Sequence, residues 1–359
     1  MIDILDQCDE KISYEIEKQL IENTEEEIDN LTSSILSYPA SFSLEEYNRR
    51  FNANIFYKPE FQRNSVWDQR GKSRFIESLF FEYPIPQIFL YKEVEKETYM
   101  IIDGYQRITT INEFLEDKFS LKDVNINFVR KKFSELPYKY QEKLKSTQLS
   151  SWIIRQIEPS DVNILYNIFE RLNTGGQNLN NMEIRRAVNY GYLIKELEKL
   201  NTNSNWLNIL GKNKVDNRYL DVELLLRLTA FYYDWNRNEL ILNSYKTSMK
   251  PYLNEFCYRN KDKDITEFKD KFEKVVQQII DELGTKPFTI YTRPNYVLLD
   301  SIITALILSN NPISNLKERV EKLKENSEYK EIYEAKQGTI SVKNVNNRLK
   351  IAYNKLNND

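Results

Sequence analysis

The sequence contains no histidine. That excludes a catalytic imidazole, Ser-His-Asp and Cys-His nucleophile pairs, HNH-type nuclease sites and every zinc site with a histidine ligand. Cys8 and Cys257 are the only cysteines. Two are too few for a Cys-only zinc site, and their separation does not suggest a disulfide framework, so a reducing cytoplasm is the expected home. No run of about 18 apolar residues exists to span a bilayer. The chain begins Met-Ile-Asp and turns acidic at once, unlike a signal peptide. Neither a Walker-type GxxxxGK[ST] nor a GxGxxG is present, which leaves the usual nucleotide folds unsupported. Any chemistry falls to carboxylates, Lys, Arg, amides and hydroxyls, with a hard cation such as Mg2+ as the fitting metal.

What is present suits a globular protein. Hydrophobic residues make up 41% and charged residues 29% of 359, a length that fits two domains better than one. The net charge of -3 is unevenly spread. Residues 1–35 hold 11 Asp/Glu against Lys11 and Lys18, and the remaining chain, with 49 Lys/Arg against 43 Asp/Glu, stands at +6. A mildly basic body permits an anionic ligand without demanding one.

Residues 1–42 read as an acidic helical arm, with Ile12, Ile16 and Leu20 at helical intervals and "SYPAS" at 37–41 interrupting it. The body begins at "SLEE", where Ser43 and Glu46 have capping-box spacing. From 43 to 158 the signals mix. "DQRGKSRFIESLFFEYP" predicts a helix with Asp68 as N-cap, "PQIFLYKEV" and "TYMIID" two strands, "YQRITTINEFLEDKF" a helix and "LSSWIIRQI" another strand. From 159 to 359 helical periodicity follows helical periodicity, including "NNMEIRRAVNYGYLIKELEKL" and "NYVLLDSIITALIL". The expected class is α+β, a small mixed α/β domain followed by an all-α region.

Three short stretches could carry chemistry. In "IIDGYQRITT" a strand ends in a glycine turn that opens a helix, leaving unpaired N–H groups and the positive end of the helix dipole facing outward. Gly104 would let a phosphate approach the backbone, Arg107 would grip it with a planar donor pair, and Gln106 could orient a water. Thr109 and Thr110 offer hydroxyls, and Asp103 is either the helix cap or a Mg2+ contact. An ordinary Asp-Gly turn with an Asp cap and an exposed Arg also accounts for residues 103–110. In "KPEFQRNSVWD", Gln62 and Arg63 could add a second cationic prong, or Arg63 could simply be solvated beside aromatic residues. In "FERLNTGGQNLNNMEIRR", Asn173, Thr174, Gly175 and Gly176 lie between two helices, the second capped by Asn180 three residues before Glu183. That loop is either a plain helix junction or a further nucleotide contact. Asp262, Asp264 and Glu267 near Lys269 could be picked out as a carboxylate nuclease site, but they read as a solvated helix face.

Together, "FQR...VWD", "IESLFFEYPIPQIFLY", "YMIIDGYQRITTINEFL" and "FERLNTGGQNLNNMEIRR", in this order, resemble the N-terminal domain of GmrSD-type modification-dependent restriction proteins, which is related to the ParB/sulfiredoxin-like superfamily. The resemblance covers about residues 43 to 190. It implies binding and hydrolysis of a nucleoside triphosphate (NTP) with Mg2+, used to control cleavage of foreign DNA that is modified. On it, Asp103, Gln106 and Arg107 become catalytic, with Asp103 on the metal. Gln62, Arg63, Gly104, Thr109, Thr110 and residues 173–176 contact the nucleotide. The family's Asp-Gly-Gln-Gln-Arg becomes Asp-Gly-Tyr-Gln-Arg here, with Tyr105 in place of a glutamine, which puts turnover in question. With no histidine for an HNH-like domain, a separate nuclease subunit is implied. The alternative is a nucleotide-gated DNA-binding adaptor that hydrolyses nothing. The base of the nucleotide, the DNA modification and homo-oligomer formation stay open.

Overall fold

The computed structural model describes residues 35–58, 67–92, 97–125, 128–156, 166–168, 171, 180–290, 293–309, 312–335 and 337–357. They fall into two compact units, one within residues 24–179 and one within 180–359. The first is a five-stranded mixed sheet with helices and the second is almost wholly helical, which is the expected α+β class.

The sheet runs β1-β5-β3-β4-β2, from β1 (Ile35–Ser43), β2 (Phe56–Tyr57), β3 (Ile88–Lys92), β4 (Tyr99–Asp103) and β5 (Gln148–Gln156). β1 pairs antiparallel with β5 along its full length, from Ile35 opposite Gln156 to Ser43 opposite Gln148. Here the structure departs from the expected helical arm and its break at 37–41. Pro39 lacks a backbone donor and so suggests a break, but β1 is an edge strand, the one place in a sheet that tolerates such a residue. The rest of the arm, residues 1–34, lies outside the described residues. β3 lies between β5, to which it is parallel, and β4, to which it is antiparallel.

The helices of this unit start where local chemistry supplies a cap. Ser43 ends β1 and caps α1 (Leu44–Asn52) by accepting the Glu46 N–H at 3.2 Å. The other half of the capping box does not form, because the Glu46 carboxylate turns to Arg49 at 2.7 Å and Arg50 at 2.5 Å. Asp68 caps α2 (Gln69–Phe80) through the Gly71 N–H at 2.8 Å, and the helix buries Phe75, Ile76, Leu79 and Phe80 as its period requires. α3 (Tyr105–Leu115) buries Ile108, Ile111 and Phe114 against Ile101 of β4 and Leu90 of β3. α4 (Tyr138–Ser146) leads into β5.

In the second unit the single helix expected over 181–200 is two, α5 (Asn181–Val188) and α6 (Tyr192–Leu200). They part at Gly191, where the chain runs so close to Lys261 that a Cβ would lie 2.8 Å from the Lys261 carbonyl oxygen. The Lys261 carbonyl in turn accepts the Leu193 N–H at 2.9 Å. α7 (Ser204–Leu210), α8 (Leu220–Asp234), α9 (Met249–Arg259) and α10 (Thr266–Leu283) follow. α11 (Tyr296–Leu308) is buried at every position from Val297 to Leu308, and α12 (Leu316–Glu325), α13 (Ser327–Glu334) and α14 (Val342–Asn357) complete the unit. No helix among the described residues is long and apolar enough to cross a membrane.

A buried charge cluster ties three of these helices. Asp300 on α11 accepts from Arg348 on α14 at 3.0 and 2.6 Å and from Arg227 on α8 at 3.4 Å, and all three residues are at most 2% exposed. Removing one partner strands a charge in a low-dielectric interior, which costs about 3–5 kcal/mol, whereas a well-packed apolar replacement of the pair is near neutral. Arg348→Ala is therefore expected to lower the urea midpoint of this unit by an amount equivalent to about 3–5 kcal/mol, with Asp300→Leu/Arg348→Met recovering most of it. Cys257 is fully buried on α9, and burial pushes its thiol pKa up to about 12. In a Cys8→Ser background its reaction with a disulfide reagent at neutral pH should proceed only at the rate of unfolding, and rapid stoichiometric labelling of the native protein would contradict that.

Candidate functional site

The turn between β4 and α3 is built for one residue type. Gly104 has φ of +94° and is the N-cap of α3. An L-residue would be strained there, and its Cβ would come within 2.8 Å of Ile88 Cγ1 and 3.3 Å of Arg107 Nη2. The glycine is thus required by the turn and by close packing under it. Gly104 has no side chain with which to cap the helix, and no side chain among the described residues does so in its place. The first helical bond runs from the Ile108 N–H to the Gly104 carbonyl at 3.0 Å, so the N–H groups of Tyr105, Gln106 and Arg107 have no partner within the helix. Asp103 is therefore not the helix cap, which leaves its carboxylate for other work.

Arg107 is buried, 8% exposed, and not the solvated side chain of an ordinary turn. Its Nη2 donates to Asp103 Oδ2 at 2.5 Å, and its Nη1 donates to the carbonyls of Pro86 and Gln87, the latter at 3.3 Å. Burial pushes the guanidinium pKa down, and the negative charge of Asp103 works against that shift. Asp103 keeps its side chain 43% exposed, with Oδ1 accepting no hydrogen bond from the described residues. Gln106 accepts the Trp67 N–H at 3.1 Å through Oε1. The Thr109 hydroxyl donates to the Tyr105 and Gln106 carbonyls, and that of Thr110 to the Gln106 carbonyl at 2.7 Å. Both threonines are buried and directed at their own helix.

Tyr105 packs its ring 6.2 Å from that of Phe51 and beneath the Lys58 ammonium, 4.7 Å away. Burial raises the Tyr105 pKa and lowers that of Lys58. Lys58 was not singled out from the sequence. Its only signal was a cation just before "PEFQR", and a cation–π contact with a residue 47 positions away leaves no local trace. Gln62, Arg63, Asn173, Thr174, Gly175 and Gly176 lie outside the described residues. The chain on either side of 59–66 is fixed at the same place, with Lys58 on Tyr105 and Trp67 on Gln106.

In the second unit, Asn180 and Glu183 form the expected capping box, with bonds of 2.8 and 2.9 Å. Asp264 binds the Thr266 N–H and hydroxyl, Glu267 pairs with Lys271 and Tyr232, and Lys269 pairs with Glu196. These are structural contacts at the start of a helix, in keeping with the solvated-face reading. Among the described residues no group of three His, Cys, Asp or Glu comes together to hold a metal.

Gly104→Ala should destabilise the first unit by about 1–2 kcal/mol from the left-handed backbone alone, and by more once the Ile88 contact is counted. Denaturant unfolding checks it, and an unchanged midpoint would mean that the turn relaxes freely.

Comparison with curated proteins returns no match to the chain. The family model described as the GmrSD restriction endonuclease, N-terminal domain, matches residues 42–190. That span takes in the mixed sheet from the end of β1 onward, the left-handed Gly104 turn and the helix held by Arg107, and it is this part of the chain that is similar to the N-terminal domain of GmrSD-type restriction proteins.

Proposed function

We propose that this domain binds a nucleoside triphosphate at the β4–α3 junction and serves as the sensor and regulatory part of a GmrSD-like system that restricts modified foreign DNA. The uncapped first turn of α3 beside the half-exposed Asp103 carboxylate is the observation that carries this reading. Three N–H groups without helical partners, at the positive end of the helix dipole, offer a phosphate both hydrogen bonds and field. The family match to residues 42–190 supports the restriction context.

A single carboxylate with one open oxygen suits a Mg2+ that arrives on the phosphates of the nucleotide, because Mg2+ keeps most of its ligands as water and phosphate. Asp103 would hold it, and the ion would supply charge neutralisation at the phosphates. Arg107 acts from within the fold, fixing Asp103 and the 86–87 backbone so that the donors are already in place. Gln106 is positioned to place a water once its bond to Trp67 opens. Gln62, Arg63 and residues 173–176 are proposed nucleotide contacts, the first two because the chain on both sides of them reaches the start of α3. The 359 residues hold no histidine, so an HNH-like cut would be made outside them, in this reading by a separate nuclease subunit.

One observation favours the second reading, a nucleotide-gated adaptor without hydrolysis. Arg107, Gln106, Thr109 and Thr110 all spend their hydrogen bonds inside the domain. Nucleotide binding and phosphate release, measured with ATP, GTP, CTP and UTP and Mg2+, separate the two. Asp103→Asn is expected to abolish release, with denaturant unfolding run alongside because it also removes the charge that stabilises buried Arg107, and Gln106→Ala to slow release about 10–1,000-fold with binding retained. Binding without release in the wild type would establish the adaptor. Failure of every nucleotide to bind would remove both readings.

A further inference from the structure

Of eight exposed large hydrophobic side chains among the described residues, four lie on the sheet unit in two neighbouring segments: Phe81, Tyr83, Tyr138 and Tyr140. Phe81 and Tyr83 are 45% and 60% exposed, and their rings stack on each other with centroids 5.7 Å apart. Phe128 joins the segments, 6.5 Å from Phe81 and 5.3 Å from Tyr140. Four aromatic side chains kept in water cost stability unless something covers them. The chain around them is basic. Residues 130–145 contain six Lys/Arg against Glu135 and Glu142, and Arg130, Lys132, Lys139 and Lys143 are exposed. Lys143 reaches across to Glu82 at 2.8 Å and to the Phe80 carbonyl at 3.2 Å, which places its ammonium beside the ring pair.

We propose that this face binds DNA through unpaired bases, with Phe81 and Tyr83 stacking on bases while Lys139 and its neighbours hold the phosphates. Exposed aromatic rings bordered by cations are what single-stranded or extruded bases require, since every base has a π-face and every nucleotide a charge. Charge favours this occupant over an apolar protein partner: residues 130–145 carry a surplus of four cations, three once Glu82 between the rings is set against Lys143, and that surplus complements a polyanion. The inference rests on the DNA-sensing reading above and gives it a location.

The same surface is joined to the candidate nucleotide site by a short, stiff segment. Tyr83 is followed by Pro84-Ile85-Pro86, in which both prolines fix φ and restrict the residue before them. The carbonyls of Pro86 and Gln87 are those that receive the Arg107 guanidinium. A base stacked on Tyr83 therefore sits three residues from the backbone that positions Arg107 and Asp103.

The test uses the full chain and a fluorescein-labelled oligonucleotide of mixed sequence, single-stranded or annealed to its complement, followed by anisotropy over a range of salt. The expected result is tighter binding of the single strand than of the duplex, weakened about tenfold or more in Phe81→Ser/Tyr83→Ser. Lys139→Glu should reduce the salt dependence by about one phosphate contact. Unchanged thermal midpoints would show that these exposed substitutions leave the fold alone. Wild-type affinity in the double variant, or a duplex preference that it does not alter, overturns the assignment. So does a variant that keeps its DNA affinity but changes sedimentation, which would make the patch a protein interface. If the intact chain binds no DNA, this inference falls while nucleotide binding, measured without DNA, stands or falls by itself.

Discussion

The Arg107 guanidinium is the contact on which the sheet unit's candidate site depends. From one buried position it reaches Asp103 at the end of β4 and two carbonyls just before β3. It thereby fixes the relative positions of a strand end, a helix start and the neighbouring loop. A guanidinium can do this because its five donors lie in one rigid plane, whereas a lysine would satisfy one or two of the same acceptors. The burial that makes the contact strong also makes it costly to disturb, and Asp103 stabilises the charge that burial opposes. The left-handed Gly104 belongs to the same arrangement, since only a residue without Cβ lets Ile88 and Arg107 close over the turn.

The helical unit applies the same physics. Asp300 gathers Arg348 and Arg227 in one buried cluster, and Arg185 joins Glu223 and Asn254 in another at 2.7 and 2.8 Å. Such clusters contribute less to net stability than their short distances suggest, because desolvation offsets most of the Coulomb attraction. Their effect is on uniqueness of packing. A helix as apolar as α11, buried from Val297 to Leu308, could rotate among near-equivalent packings, and one carboxylate that must meet two guanidiniums selects a single rotation.

On the proposed reading, phosphate binding at the helix start and DNA binding at the aromatic face serve a restriction sensor only if each responds to the other. The 81–87 segment offers a physical route, because its aromatic end is exposed and its other end is bonded to Arg107. Two prolines in that segment remove the backbone freedom that would otherwise absorb a displacement. A small shift at the rings would then change the geometry at Asp103 without any intervening domain movement.

How much of this could be read from the chain depends on the range of the interaction. The absence of histidine settled the available chemistry without any coordinates. Periodicity located α2, β3, β4, α3 and β5, and the caps at Asp68 and Asn180 formed as their spacing required, because a cap is a contact within three residues. The Asp103–Arg107 motif was legible as a strand–turn–helix junction for the same reason. What the side chains do there was not. Arg107 is committed to carbonyls 20 and 21 residues away, Gln106 to Trp67, and Tyr105 to Lys58. Likewise Pro39 suggested a break until the sheet order placed it on an edge, and Gly191 looked like a helix interior until Lys261 packed against it. The sequence by itself determined most of the helices and strands around the turn and excluded imidazole chemistry from these 359 residues, since those follow from neighbours and composition. Tertiary structure alone decided which polar groups remain open at the turn, because that depends on residues brought together only when the chain has closed.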